Sequence, residues 1–347
     1  MRRTVYGKGL ARSCLAAEDM SRPTSRLLPF VVLGLAVALT AGCSVKRMAI
    51  GSLADALAGS GTVFASDDDP ELIRDAVPFS LKTIESLLVE VPTHEGLLLS
   101  ACSGFTQYAY AFVQGDAEML EQSDFERSRE LKLRARKLYV RAKDYCLRSL
   151  EVRHRGIREQ LVQAPDKAVE SMTKQDVATL YWTGAAWGSA IGLGLDEPEL
   201  AADLPAVRAM MRRALALDET FERGAIHAAM ISIESVPAAM GGSPERARAH
   251  FARAVDLSKG LSAGPYYTLA SGLVMAEQNR AEFEALIEQA LAIDPDADPS
   301  QRLANLVVQK RARHLLAHAD ELFIGDTPTA GAVVPFVALG SSQTGIR

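Results

Sequence analysis

From about Asp67 to Phe323, apolar residues recur three and four positions apart with polar residues between them, and no segment alternates apolar and polar as a strand would. The pattern predicts helix after helix. Several starts are marked: Asp69-Pro70-Glu71, Ser243-Pro244-Glu245 and Asp298-Pro299 each offer a capping oxygen followed by proline, where the first helical N–H has no partner anyway. In the first two, an acid follows that suits the positive end of a helix.

The helices also repeat. "RRALALD" (212–218), "ARAVDLS" (252–258) and "EQALAIDP" (288–295) end alike, and their equivalent positions Leu215, Val255 and Leu291 are forty and then thirty-six residues apart. Such a period predicts an all-α fold of stacked helix hairpins, a degenerate tetratricopeptide-like superhelix over 67–323; the ideal repeat is about 34 residues. Ala247, Phe251 and Ala254 fit its small–large–small packing positions best. Gly96, Gly224 and Gly264 stand where first helices of hairpins begin. Hairpins that each bury one face on a neighbour build a curved surface or a channel, and binding is its usual work.

Aromatic residues make up only 6% of the chain, yet they cluster. "CSGFTQYAYAFVQ" (102–114) carries Phe105, Tyr108, Tyr110 and Phe112. On a regular helix Phe105, Tyr108 and Phe112 form one stripe, with Tyr110 pointing elsewhere. "LYWTGAAWG" (180–188) carries Tyr181, Trp182 and Trp187, both tryptophans of the protein among them, with Gly184, Ala185, Ala186 and Gly188 between the rings leaving room beside them. Tyr266-Tyr267 opens a later hairpin. Core packing is the ordinary role of any one ring. Three clusters, each in the first helix of a hairpin where a superhelix has its inner wall, make these nine residues candidates for binding an amphipathic ligand.

A basic amphipathic stretch, residues 121–156, lies between the first hairpin and the later ones, with Leu131, Leu138, Ala142 and Tyr145 marking its buried stripe. Its cations form either a solvated face or a patch for an acidic partner. The chain as a whole holds 38 Lys and Arg against 43 Asp and Glu, a net charge of -5. Residues 1–42 are basic, so the body beyond them is more acidic than the total suggests. It has no general attraction for nucleic acid.

The N-terminal segment reads as a secretory signal (1–42): Arg22 and Arg26, an apolar run from Leu27 to Ala41, then small residues before Cys43. The run is shorter than the roughly 18 residues of a membrane-spanning helix and contains Pro29. Met20 would start the same signal by itself. "LTAGC" (39–43) resembles a bacterial lipobox, with Thr40 where leucine is usual; it predicts lipidation of Cys43, against the plainer alternative of a free thiol left by ordinary cleavage. Several acyl chains would hold the protein at a membrane surface, and Ser44 resembles an outer-membrane sorting signal. Gly- and Ser-rich residues 43–66 read as a flexible tether, and 324–347 as a disordered tail. In the folded body only Cys102 and Cys146 remain. An oxidising compartment would allow a bridge, but their apolar helical neighbours favour two buried free thiols.

Catalytic chemistry is not indicated. His314 and His318 stand one helical turn apart, but Asp320 and Glu321 turn away from that face, so no metal is expected. "THEGLL" lacks the second histidine of a zinc-protease helix, and no nucleophile elbow, phosphate loop or dinucleotide fingerprint occurs, so neither enzyme activity nor a cofactor is expected.

The ordered set "DDDPELIRDAVPFSLKTIESLL", "SGFTQYAYAFVQ", "LYWTGAAWGSAI", "GGSPERARAHFARAVDLS" and "RAEFEALIEQALAIDPDADPSQRLANLVVQKRARHLL" resembles the T-component (TatT) family of tripartite ATP-independent periplasmic (TRAP) transporters from about Asp67 to Phe323. The resemblance implies a non-enzymatic periplasmic lipoprotein and a homo-oligomer, with a trimer considered. It implies association with the solute-binding P subunit and a path or holding site for a hydrophobic or amphipathic organic acid. Cys43 would carry the lipid and the aromatic segments would form the binding region. The competing expectation, from the repeats alone, is an envelope scaffold that binds partner proteins in a concave groove.

Overall fold

A computed structural model describes residues 61–194, 200 and 202–324. The signal segment, Cys43 and the tail from Gly325 lie outside the described residues. Those described form an all-α fold, as the apolar spacing predicts.

The first hairpin pairs α1 (Pro70–Glu90) with α2, which runs Glu95–Tyr108, passes through a π-helical stretch Ala109–Gln114 and continues Gly115–Met119. The expected start of α1 is capped as read: Asp69 accepts from the backbone N–H groups of Glu71 and Leu72, both at 3.0 Å. The basic stretch forms α3 (Phe125–Arg153), capped by Asp124. Short helices α4 (Ile157–Gln163) and α5 (Pro165–Val169) lead to α6 (Val177–Gly192), which packs on α3 and on α7 (Leu204–Leu217). Two further hairpins follow, α8 (Ala225–Glu234) with α9 (Pro244–Leu257), and α10 with α11 (Arg280–Ala292); α10 runs Gly264–Leu269 and, like α2, passes into a π-helical stretch, Ala270–Val274. The last long helix is α12 (Arg302–Ala317). Ser243 caps α9, whereas Asp298 caps only the single 3-10 turn Pro299–Gln301 that precedes α12.

The repeat signatures do the expected packing. Ala247 and Ala254 are fully buried where α9 meets α8, and Phe251 lies half-buried against Tyr266. Gly224 enters α8 in the left-handed region (φ +91°), and a side chain there would stand 3.0 Å from Leu257 Cβ. Glycine meets both demands without strain.

The stripe of α3 differs in part from the expected one. Leu131 and Ala142 are buried, but Leu138 and Tyr145 are only half-buried, and Ala135, Tyr139, Cys146 and Leu150 complete the face. Helix α3 packs on α2 and α6 together, so its buried face follows both neighbours.

The cysteines require a correction. Cys102 on α2 and Cys146 on α3 are joined by a disulfide, not held as free thiols. Apolar neighbours show that each is buried; they do not show that the two helices bring the Cα atoms to 5.1 Å, well inside bridging range.

The stack closes on itself. Helix α12 packs against α11 and also against α1 and the π stretch and last turns of α2. Lys310 Nζ lies 3.2 Å from Glu71, Arg302 donates to the Ser66 carbonyl at 2.9 Å, and Arg311 pairs with Glu118. Residues 61–65, within the stretch read as a tether, form a turn of helix on α12. Among the described residues no helix is long and apolar enough to cross a membrane.

Candidate functional site

At the closure, successive elements each send one polar or aromatic side chain toward the same interior region. The π stretch of α2 contributes Tyr110, α3 Tyr139, α6 Tyr181, α10 Tyr267 and α12 Arg311. Arg311 is 5% exposed, and its guanidinium lies over the Tyr110 ring at 4.2 Å and the Tyr267 ring at 5.0 Å. Stacking of this kind stabilises a cation that burial has taken from water. A π turn shifts the register of a helix and often marks a functional position. Here one carries Tyr110 and the other begins three residues after Tyr267, so both helices depart from regular winding close to the same arginine.

A relay of hydrogen bonds supports the guanidinium. Tyr139 donates to Gln114 at 2.7 Å, Gln114 donates to Glu118 Oε1 at 2.8 Å, and Arg311 Nη2 donates to Glu118 Oε2 at 2.5 Å. Burial opposes the charge on Arg311, but the neighbouring Tyr110 hydroxyl and the Glu118 carboxylate more than offset it and keep the group cationic. Beside this relay, Arg74 holds Asp116 with two hydrogen bonds at 2.5 and 3.0 Å and lies over Phe112, joining α1 to α2.

Tyr110 and Tyr181 combine two properties. Protein surrounds each hydroxyl so fully that burial raises its pKa, yet each side chain keeps surface that water reaches. Glu222, between α7 and α8, is similar: its carboxyl is raised by desolvation although the residue is exposed. It sits in the left-handed region (φ 41°), as does Arg223 (φ 57°), a backbone arrangement costly for residues other than glycine. Tyr181 lies close enough to Glu222 and Tyr110 for their charge to raise its pKa further.

The nine aromatic candidates therefore divide. Tyr110 and Tyr267 meet at Arg311. Tyr181 joins them electrostatically through Tyr110, and its ring touches Trp182 edge-on at 4.9 Å and Phe221 at 5.3 Å. Phe105 and Phe112, each 4% exposed, are packed in: Phe105 stacks on Tyr145 at 6.0 Å, and Phe112 meets Tyr108 at 5.6 Å. Trp187 is buried with its Nε1 donating to Asp203 at 3.1 Å. Tyr266 lies edge-on to Phe251. The small residues near Trp182 and Trp187 do not leave space beside the rings: a side chain on Gly184 would meet Met211 Cε at 2.8 Å, and one on Gly188 would meet Val207 at 3.4 Å. Those glycines let α7 approach α6. Gln114, Glu118, Tyr139, Glu222 and Arg311 were not among the candidates, and no local motif marks them.

A separate cluster lies between α8 and α9. His227 and His250 bring their Nδ1 atoms to 2.9 Å, so one ring donates and the other accepts, and the two nitrogens cannot both carry protons. His227 Nε2 leans toward Glu219 at 3.6 Å, beside an open surface hollow of about 520 Å³ lined also by Arg212, Leu215 and Asp218. Glu219 and Arg253 face His227; Glu234, Arg246 and His227 itself face His250. Burial, the leading cause, holds both imidazoles below their ordinary pKa. The unfolded chain then binds more protons than the folded one below about pH 6.5, so the stability contributed by the neutral pair is complete above that value and declines as pH falls through it. Calorimetry is expected to give a lower Tm at about pH 5.5 than at about pH 7.5, with a smaller drop for His250→Gln. An equal drop in the variant would remove the pair from this effect.

Elsewhere the rings of His314 and His318 lie 4.3 Å apart, tilted by 41°, and among the described residues no group of three or more His, Cys, Asp or Glu is placed to hold a metal.

Comparison with known proteins agrees with this architecture. A family model described as TRAP transporter T-component matches residues 66–323. A protein of Treponema pallidum (strain Nichols), named only as an uncharacterized protein, is 32% identical over 324 residues, covering 88% of this chain and all of that one. With the match spanning the first hairpin to the closing helix, the chain belongs to the TRAP transporter T-component family.

Proposed function

We propose that this protein is a non-enzymatic periplasmic lipoprotein, anchored through Cys43, that associates with the solute-binding P subunit of a TRAP transporter and holds or passes a hydrophobic or amphipathic organic acid. Membership of the T-component family supports the transporter role. The observation that carries the ligand part is the closure of α12 onto the first hairpin around Tyr110, Tyr181, Tyr267 and Arg311. Such an interior offers aromatic walls for an apolar body and hydroxyls for a polar end. A homo-oligomer would align several such interiors at the membrane surface. The roles of Tyr108, Trp182, Trp187 and Tyr266 are then to support the wall from behind, with Phe105 and Phe112.

Co-purification with the P subunit encoded beside it tests the partner. For the ligand, Trp182 is the reporter, because it touches Tyr181. Tryptophan fluorescence is expected to change on titration with octanoate, and Tyr181→Ala is expected to weaken that response about tenfold or more, the effect of losing one buried aromatic contact. No P-subunit complex and no octanoate response would together overturn the proposal.

A second reading, the envelope scaffold, has one observation of its own. The outer face of α3 carries a hollow of about 330 Å³ lined by Lys137, Arg141 and Arg148 with Val140, Tyr145 and one acid, Asp144, a net positive surface for an acidic partner. Partner binding that survives Tyr181→Ala but is lost when Arg141 and Arg148 become Glu would favour it.

A further inference from the structure

We propose that the closure at α12 encloses a ligand hollow, that Arg311 is its carboxylate-binding group, and that the occupant is a monocarboxylate with an apolar tail. The proposal rests on the ligand-passing reading above and adds which residue holds the ligand's charged end.

A guanidinium is a planar fork of N–H donors with no acceptor. In Arg311 only Nη2 is used, by Glu118; Nε and Nη1 are buried and meet no acceptor. Buried donors are nearly always paired, because an unpaired one loses its hydration and gains nothing. The rings of Tyr110 and Tyr267 stabilise the cation at 4.2 and 5.0 Å, and neither gives Nε or Nη1 a hydrogen bond. A carboxylate is the acceptor that matches the edge of a guanidinium.

The surroundings select the rest of the ligand. At the arginine the rings of Tyr110 and Tyr267 favour an apolar tail, and Tyr181 would extend that wall. Glu118 already balances the charge of Arg311, so the site has no surplus cation to offset the desolvation of a small hydrated anion. A monocarboxylate with an apolar tail satisfies both conditions.

Tryptophan fluorescence titration of the full mature protein with octanoate, 1-octanol and acetate tests this, alongside the double variant Arg311→Met/Glu118→Gln. The double variant removes the pair together and so leaves no unpaired buried charge. Octanoate is expected to bind the native protein about tenfold or more tightly than 1-octanol, the worth of charge-assisted hydrogen bonds, and acetate far more weakly. In the double variant the octanoate preference is expected to vanish while 1-octanol binding persists. A purely structural Arg311 would leave the two ligands equal in the native protein.

Equal binding of octanoate and 1-octanol, both weakened by Tyr181→Ala, would overturn the assignment of Arg311 while leaving the hollow as a ligand site. Acetate binding as tightly as octanoate would identify an adventitious anion only and would also overturn it. Binding of neither octanoate nor 1-octanol would overturn it as well, whereas a retained P-subunit complex would still support the transporter role.

Discussion

Replacing Cys102 and Cys146 by alanine is expected to lower the unfolding free energy by about 4 kcal/mol, the chain-entropy value for a bridge of this span. The two positions are 44 residues apart in sequence and tie α2 to α3, so the bridge restricts a large loop of the unfolded chain. Both sites are fully buried, and alanine leaves little space unfilled. Urea unfolding measures the loss. The native protein treated with reductant should unfold at the same midpoint as the double variant, and a midpoint indifferent to reductant would contradict the bridge. Because α2 carries the π stretch with Tyr110, loss of the bridge is also expected to weaken any response that depends on that side chain.

The second large effect is at the closure. Glu118→Ala is expected to cost about 3 kcal/mol, because it leaves the Arg311 guanidinium buried without its counter-charge. Removing both charges through Arg311→Met/Glu118→Gln is expected to restore most of that loss, since the penalty comes from the unpaired ion and not from absence of the bond. Chemical denaturation of the two variants separates the cases. If the double variant is no more stable than the single one, the two residues act independently and α12 is not held to α2 by this pair.

Much of the fold was legible in the sequence because it is written locally. Helical spacing, the Asp69 and Ser243 caps, and the small–large–small set at Ala247, Phe251 and Ala254 each depend on neighbours within a turn or two, and each is found in place. What was not legible depends on distant contacts. Arg311 stands in "VVQKRARHLL" among other cations, and nothing nearby distinguishes the one that turns inward; its partner Glu118 is 193 residues away. The same holds for Cys102 and Cys146, whose burial could be read but not their meeting. The π turns are a different case. A stripe drawn on a regular helix groups Phe105, Tyr108 and Phe112, and Tyr108 and Phe112 do touch; the insertion at Ala109–Gln114 leaves Tyr110 to face the arginine alone. Aromatic clustering thus included Tyr110 and Tyr267, which meet at Arg311, while misjudging the space beside Trp182 and Trp187, which Met211 and Val207 fill.

Everything proposed for the ligand depends on a ring of hairpins closed by α12 around open space. The most direct measurement is an electron-density map of the crystallised protein. It should place Lys310 beside Glu71 and Arg311 between Tyr110 and Tyr267, with water or ligand density in the space bounded by Tyr110, Tyr181 and Glu222. A map with α12 away from the first hairpin, or with those side chains packed against one another and no space between them, would contradict the closed, hollow superhelix.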